Sequence, residues 1–495
     1  MSVKPQYETY RYVGEIGCLE SQSIVECRLP GSEISGVLAV HAKAVPGECA
    51  CLDGAVNYGG KVLLTIVYED GDRKICRAER GAEFFHKAEG NFVTPACFAK
   101  VRLCAENVTF RREGSGLYVS VVVNARSTVY GSKQMEYLCG GEGVIARRER
   151  VTICKTVCVS GETEGEDEFD SDYVGDILLH SEKAVISRVA ANAGQIEIDG
   201  EIALNICVLK VDEGVCSYER LVPFRMQVPC DEAFGDIKAW ASVDVKSAFL
   251  SADADEEKGK SRIVLSYCLS ADCSLSVKEE IEVVDDAFAR DCDLRLEKKK
   301  EWGRYLTSLE KYTERVSGVA ALSPTIEGEY TLQAAVLPRA ELSCKKTDAG
   351  VEAEGVVQAE VFLVGADGTH RSTSLSLPVL FPIDVRGDYV EADCIVCGLN
   401  VRRKKEGEIE AEATLKLSVR GFEQGEWSYV CEAVEGEPKT ASDAAFSIFI
   451  PRAGEDLWQV AKRLACTPEE LQKSNPDMEF PVKEGKRLFV YRQIR

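Results

Sequence analysis

The stretch Ile409–Arg420, IEAEATLKLSVR, alternates without a break. Ile409, Ala411, Ala413, Leu415, Leu417 and Val419 fall on one side of an extended chain; Glu410, Glu412, Thr414, Lys416, Ser418 and Arg420 fall on the other. Period two with a single apolar face predicts a half-buried β-strand. Ile263, Leu265, Tyr267 and Leu269 repeat the pattern upstream. A polar loop precedes each of these strands, at Arg402–Gly407 and Ala252–Lys260, and Arg111–Gly116 is a third such loop. Variable length and charge at matching places are what surface hairpin connections tolerate.

Earlier in each copy a glycine opens a second alternating run. Val62, Leu64, Ile66 and Tyr68 follow Gly60; Ile202, Leu204, Ile206 and Val208 follow Gly200; Val357, Ala359, Val361 and Leu363 follow Gly355. An aromatic-bearing segment comes next each time: Phe84-Phe85, Val222-Pro223-Phe224 and Leu380-Phe381-Pro382. The chain therefore reads as mainly β, with three repeats of ordinary domain size, about 130–150 residues each. One-sided alternation needs a second layer to cover it, so each unit is expected to be an antiparallel β-sandwich-like domain. The expected limits are 1–160, 173–290 and 313–436. Gly161–Asp172, GETEGEDEFDSD, reads as an acidic linker with nearly nothing to bury, and Asp291–Tyr312 as a charged, partly helical connector. A last break is expected at Glu435–Asp443.

The tail, 445–495, has a different pattern. Ile448-Phe449-Ile450 is β-prone, and a turn follows at Gly454. Asp456 with Gln459, and Thr467 with Glu470, have the spacing of capping boxes, and Pro468 suits a first helical position. Leu457, Val460, Ala461 and Leu464 are spaced for one helical face. Asn475-Pro476 ends the second helix, Gly485 turns, and Leu488-Phe489-Val490 closes as a strand. The predicted order is βααβ.

That tail resembles a LysM domain at Gly454-Glu455-Asp456-Leu457-Trp458, Val460-Ala461, Leu471, Asn475-Pro476, Gly485 and Leu488-Phe489-Val490. Pro451, Glu455-Asp456 and Tyr491 depart from the family pattern. With three β-rich units ahead of it, the whole chain resembles the SPOCS-repeat, C-terminal LysM spore-coat morphogenetic proteins of spore-forming Firmicutes. The resemblance implies a non-enzymatic scaffold in spore coat assembly, made in the mother-cell cytoplasm and settling on the forespore surface. It implies docking through the LysM-like domain to the coat-basement ATPase, stage IV sporulation protein A. The residues expected to form that surface are Phe446, Ile448, Gly454, Glu455, Asp456, Trp458, Asn475, Pro476 and Asp477. Trp458 reads equally as helix core or as a partner-facing hot spot. A second reading of the same tail is a binder of N-acetylglucosamine chains in cell wall or spore cortex.

Catalytic motifs are absent. Gly59-Gly60-Lys61-Val62 lacks the spacing and hydroxyl of a phosphate-binding loop, and there is no Gly-x-Ser-x-Gly elbow. A general base among the four histidines, His41, His86, His180 and His370, is possible but unmarked by any motif, and each reads first as a surface or strand residue. Cys394-Ile-Val-Cys397 has half of a zinc spacing with no second half, and Cys49-Ala-Cys51 is weaker. No catalytic residue, metal site or cofactor is expected. Arg402-Arg403-Lys404-Lys405 is the one basic cluster, read as a charged hairpin loop.

At 495 residues, 60 basic against 82 acidic side chains leave a formal charge of −22. Nucleic-acid phosphate and anionic lipid both call for a basic surface, so neither is an expected partner. No run approaches the ~20 apolar residues of a membrane span. The first residues, MSVKPQYETYRYVGEIGC, hold no apolar export signal, and with an odd count of 21 cysteines this points to reduced thiols in a cytoplasm.

Overall fold

A computed structural model describes residues 3–29, 34–113, 116–172, 174–210, 214–235, 237–255, 259–321, 329–348, 350–405, 407–439 and 446–491. Parts of the three expected hairpin loops, and 440–443 of the break expected at Glu435–Asp443, lie outside the described residues. The described chain is mainly β, in antiparallel three-stranded sheets. The first six strands are β1 (Lys4–Leu29), β2 (Ile34–Leu52), β3 (Ala55–Asp70), β4 (Ile75–Glu89), β5 (Phe98–Glu113) and β6 (Gly116–Glu142). They form two sheets, β1-β6-β5 and β2-β3-β4.

The next six are β7 (Val144–Ser171), β8 (Gly175–Asn192), β9 (Gln195–Lys210), β10 (Val215–Pro229), β11 (Lys238–Asp255) and β12 (Lys260–Ala289). Then come β13 (Cys292–Ala321), β14 (Tyr330–Thr347), β15 (Gly350–Gly365), β16 (His370–Ile383), β17 (Tyr389–Lys405) and β18 (Glu408–Pro438). Both sets repeat the first arrangement, as β11-β12-β7 with β10-β9-β8 and as β13-β18-β17 with β14-β15-β16. In each set the central strands of the two sheets supply one buried core. Val62, Leu64 and Ile66 meet Val119, Val121 and Val123; Ile202, Leu204 and Ile206 meet Leu265 and Leu269; Val357 and Val361 meet Leu415, Leu417 and Val419. The apolar faces that alternate in the sequence are the faces that pack.

Gly60, Gly200 and Gly355 are not strand starts. Each lies five residues inside a 16-residue central strand. A Cβ there would stand 2.7 Å from the Val45 carbonyl oxygen, 2.5 Å from that of Val185 and 2.0 Å from that of Glu341. In all three sheets the neighbouring edge strand crosses so close that only glycine fits.

The first and last strands of each set are longer than the sandwiches need. Beyond the pairing with β5, β11 and β17, residues 4–14 continue with 131–142, 144–155 with 277–289, and 292–305 with 423–438, as two-stranded ribbons. The ribbons pack on one another. Tyr12, Met135, Ile153, Val283, Trp427 and Tyr429 share one core, and Leu138, Val284, Ala287 and Val430 another. On other faces of the sets, Leu38, Val67, Leu179, Cys207, Val336 and Phe362 close a further apolar cluster drawn from all three.

Two expectations are overturned. Gly161–Asp172 is no linker: residues up to Ser171 belong to β7 and pair with β12, Gly161 opposite Ala271 and Asp170 opposite Arg262. Asp291–Tyr312 is not helical: from Cys292 onward it is β13. The strand sets therefore divide at 143 and at 290–291, not at 160–173 and 290–313. The acidic stretch holds its place because β12 supplies the apolar face, while Glu168 pairs with Arg262, and Glu162 with Lys246 at 2.8 Å. Its glycines are needed too, since a Cβ on Gly165 would meet the Tyr267 ring at 2.4 Å.

The tail holds β19 (Phe446–Phe449), α1 (Leu457–Leu464), α2 (Pro468–Ser474) and β20 (Leu488–Tyr491), with β19 antiparallel to β20. Asp456 with Gln459, and Thr467 with Glu470, form both expected capping boxes. Deleting residues 161–171 is expected to unfold the second strand set, because it strips most of the β7 edge that lies beside β12 in the three-stranded part of the sheet. Calorimetry of the deletion variant should show the second cooperative unit lost, whereas a free linker would leave the melting profile intact.

Candidate functional site

The tail presents two different faces. Along β19 and β20 side chains alternate, so Phe449, Leu488 and Val490 point into the small core with Val460, Ala461, Leu464 and Leu471. Phe446, Ile448 and Phe489 point outward and stay exposed, at 47%, 53% and 43%. Phe446 and Phe489 stack with ring centres 5.8 Å apart. Ile450, exposed as well, adjoins them in the chain. This apolar ridge includes the expected Phe446 and Ile448. Sequence reading missed Ile450 and Phe489, although strand alternation around the buried Leu488 and Val490 was the signal that placed Phe489 outside.

The opposite face is clamped to the rest of the chain. Trp458 is buried; its Nε1–H donates to Asp286 Oδ2 at 2.8 Å, and its ring meets Phe288 edge-on at 5.2 Å. Lys462 Nζ donates to both oxygens of Asp286, at 2.7 and 2.9 Å. Arg147 lies over the Trp458 ring at 5.7 Å while gripping Asp285 through Nε. Arg290 pairs with Glu470 at 2.7 Å. The expectation of Trp458 on an open rim is therefore corrected. Its indole bridges the tail to the end of β12, because a ring with one polar edge suits a contact that is apolar on one side and charged on the other.

The remaining expected residues divide. Gly454 holds the turn at φ +87°. Glu455 accepts from Arg463 at 2.9 Å and from the Arg452 backbone N–H at 2.8 Å, and Asp456 caps α1. Asn475 is buried and structural, a second correction: its amide donates to the Leu471 and Phe489 carbonyls and accepts from the Phe489 N–H at 2.7 Å. Pro476 and Asp477 are exposed beside it. The expected nine residues do not form one rim. Phe446 and Ile448 share the ridge with Phe489, Trp458 faces β12, and the capping and bracketing polar groups are spent within the tail.

The groups weighed for chemistry are quiet. His41 is half-buried and deep in the molecule, where desolvation pushes its imidazole down to about 4 and keeps it neutral. Burial raises the Cys394 thiol to about 12 and that of Cys49 to about 11, the reverse of an activated nucleophile. Arg402 is paired with Glu410 at 2.8 Å and Lys405 with Glu408 at 2.9 Å, so the basic cluster is met by its own hairpin. Among the described residues no group of three His, Cys, Asp or Glu could hold a metal ion, and no helix is long and apolar enough to cross a membrane.

A charged layer runs through the middle of the molecule, where the three strand sets meet. Arg126 of the first set reaches Glu391 of the third at 3.3 Å, and Lys100 of the first reaches Asp272 of the second at 3.4 Å. Arg420 of the third is held by Asp393 at 2.8 Å and donates to the Ala241 carbonyl of the second. Of these residues sequence reading placed only Arg420, on the polar face of its strand. Cavities of about 100, 770 and 180 Å³ lie in this layer; Arg102, Arg126 and Ser242 line both of the first two, and Lys183 both of the last two.

No protein-family model, curated protein or solved structure matches this chain.

The clamp is expected to open in acid. Burial raises the Asp286 pKa, but the bonds from Lys462 and Trp458 outweigh it and leave the carboxyl below the ordinary aspartate value. A depressed folded pKa stabilises fully above the unfolded value, about 3.9, and that contribution is lost as pH falls through the folded value. The indole N–H resonance of Trp458 should therefore move to its solvent-exposed position below about pH 4, and sit there at neutral pH in Asp286→Asn. A resonance indifferent to both changes would remove Asp286 from the clamp.

Proposed function

We propose that the chain is a non-enzymatic scaffold of the SPOCS-repeat type, ending in a LysM-like βααβ domain that docks a protein partner in spore coat assembly. The observation that carries this reading is the outward apolar ridge of Phe446, Ile448, Ile450 and Phe489, on a small domain whose other side is already fixed to the body. Exposed apolar residues grouped on one ribbon face favour a protein surface over water. A hydroxyl-rich glycan would look for free polar groups, and at Glu455, Asp456 and Asn475 these are engaged within the tail. The partner suggested by the resemblance is the coat-basement ATPase, stage IV sporulation protein A, with other coat proteins as further candidates. The site of action in the same reading is the forespore surface, reached from the mother-cell cytoplasm.

Burying Phe446 and Ile448 in an interface would each contribute about 1.5–3 kcal/mol. The double variant Phe446→Ser, Ile448→Ser should therefore weaken co-purification with the ATPase by about 100-fold or more. Circular dichroism of the full chain should not change, since neither side chain belongs to a core. Retained binding by the folded double variant would reject the ridge as the docking surface. Retention of the wild-type chain on purified murein, with none on the ATPase, would replace the scaffold reading by the glycan one.

A further inference from the structure

A chamber of about 770 Å³ opens in the charged layer, walled by all three strand sets. Its size is within the range of small-molecule sites, about 300–1,000 Å³. Part of its wall is electrostatically complete. Arg102 stands 3.7 Å from Asp393, which Arg420 holds as well, and Arg126 is taken by Glu391. Four charges on the wall have no such partner among the described residues: Lys183, Asp244, Glu106 and Glu20. Lys183, on β8, and Asp244, on β11, face the chamber, and no hydrogen bond or ion pair from the described residues closes on either. They attract each other across the space without touching.

Asp244 is open to the chamber yet deep within the molecule, and burial raises its pKa against the pull of Arg102 and Lys183. On the same wall the side-chain oxygen of Asn124 is buried with no donor. Glu106 adds a further carboxylate on the side of Asp244's sign. An enclosed charge without a partner costs free energy, and so does an unpaired acceptor. Asp244 and the Asn124 oxygen, with the exposed ammonium of Lys183 on the same cavity, describe a ligand with an ammonium, an N–H donor and a carboxylate. A divalent cation would not fit, since no group of three possible ligands converges among the described residues.

We propose that this chamber binds a zwitterionic molecule of short-peptide size, its ammonium on Asp244, its carboxylate on Lys183 and a backbone N–H on Asn124. The tail takes no part, so the site stands or falls independently of the docking ridge.

The test uses the full chain with tri-alanine, N-acetyl-tri-alanine and tri-alanine amide, by isothermal titration and thermal melting. Tri-alanine is expected to bind and raise the melting midpoint. Each blocked analogue loses one charge and should bind about tenfold more weakly or worse. Asp244→Asn should bind tri-alanine no better than N-acetyl-tri-alanine, and Lys183→Gln no better than the amide. That matched loss marks which charge sits on which residue. Neither side chain is bonded within the protein, so both variants should keep the wild-type circular dichroism. Absence of any midpoint shift with tri-alanine would overturn the proposal and leave a chamber filled with water alone. Equal binding of the three peptides, or full binding by both variants, would overturn it equally.

Discussion

The structure depends on the excess length of six strands. A six-stranded sandwich is complete where β5, β11 and β17 end their pairing, yet β1, β6, β7, β12, β13 and β18 run on for another dozen or so residues. A two-stranded ribbon alone is marginal in water. These ribbons carry Tyr12, Met135, Ile153, Trp427 and Tyr429, so each must find an apolar neighbour, and the neighbours are the other two ribbons. Packing them draws the three strand sets together, and the β2–β3, β8–β9 and β14–β15 faces close the cluster around Leu179 and Phe362. The charged layer is a consequence. Where apolar contact joins the sets in two places, the polar faces caught between must satisfy one another. Ion pairs buried on one side, such as Arg420–Asp393, add little net stability after desolvation, but they reject misregistered packings, in which a charge would be left alone.

What could be read from the sequence follows from where its information lies. The core faces of β3, β9, β15 and β18 were legible because alternation is a local pattern, and both capping boxes because their partners sit three residues apart. The edge strands were not. Glu162 to Glu168 alternates acids with Gly, Thr and Asp, a composition with little strand propensity of its own. Its extended form comes from β12, more than 90 residues away, and its charges suit an edge that must not recruit another strand. Asp291–Tyr312 fails in the same way, since the lysines of β13 conceal a register set by β18.

The candidate site was legible in half. Phe446 and Ile448 were expected on the surface that the LysM resemblance implies, but Trp458 and Asn475 depend on partners that no local pattern names. Asn475 is set by the Phe489 backbone across the tail, and Trp458 by Asp286 from another strand set. The chamber was illegible for the same reason. Lys183 and Asp244 occupy the polar phase of ordinary alternating strands, and only the meeting of three sheets turns solvent-facing positions into interior ones.

The clamp also shows how a strand irregularity becomes a joint. In a regular strand Asp285 and Asp286 would point to opposite faces. The register between β12 and β7 slips between Val284 and Asp286, placing Asp285 as the extra residue of a bulge. Bulges bend the strand and re-aim side chains, so both carboxylates serve one joint: Asp285 holds Arg147, which lies over the Trp458 ring, and Asp286 accepts from Trp458 and Lys462. One ring and a few charge-assisted bonds thus set the tail's orientation on the ribbon end. Such a contact buries far less apolar surface than the sandwich cores, so its opening requires less free energy than unfolding either side. The ridge therefore stands in a fixed direction from the body while the clamp holds.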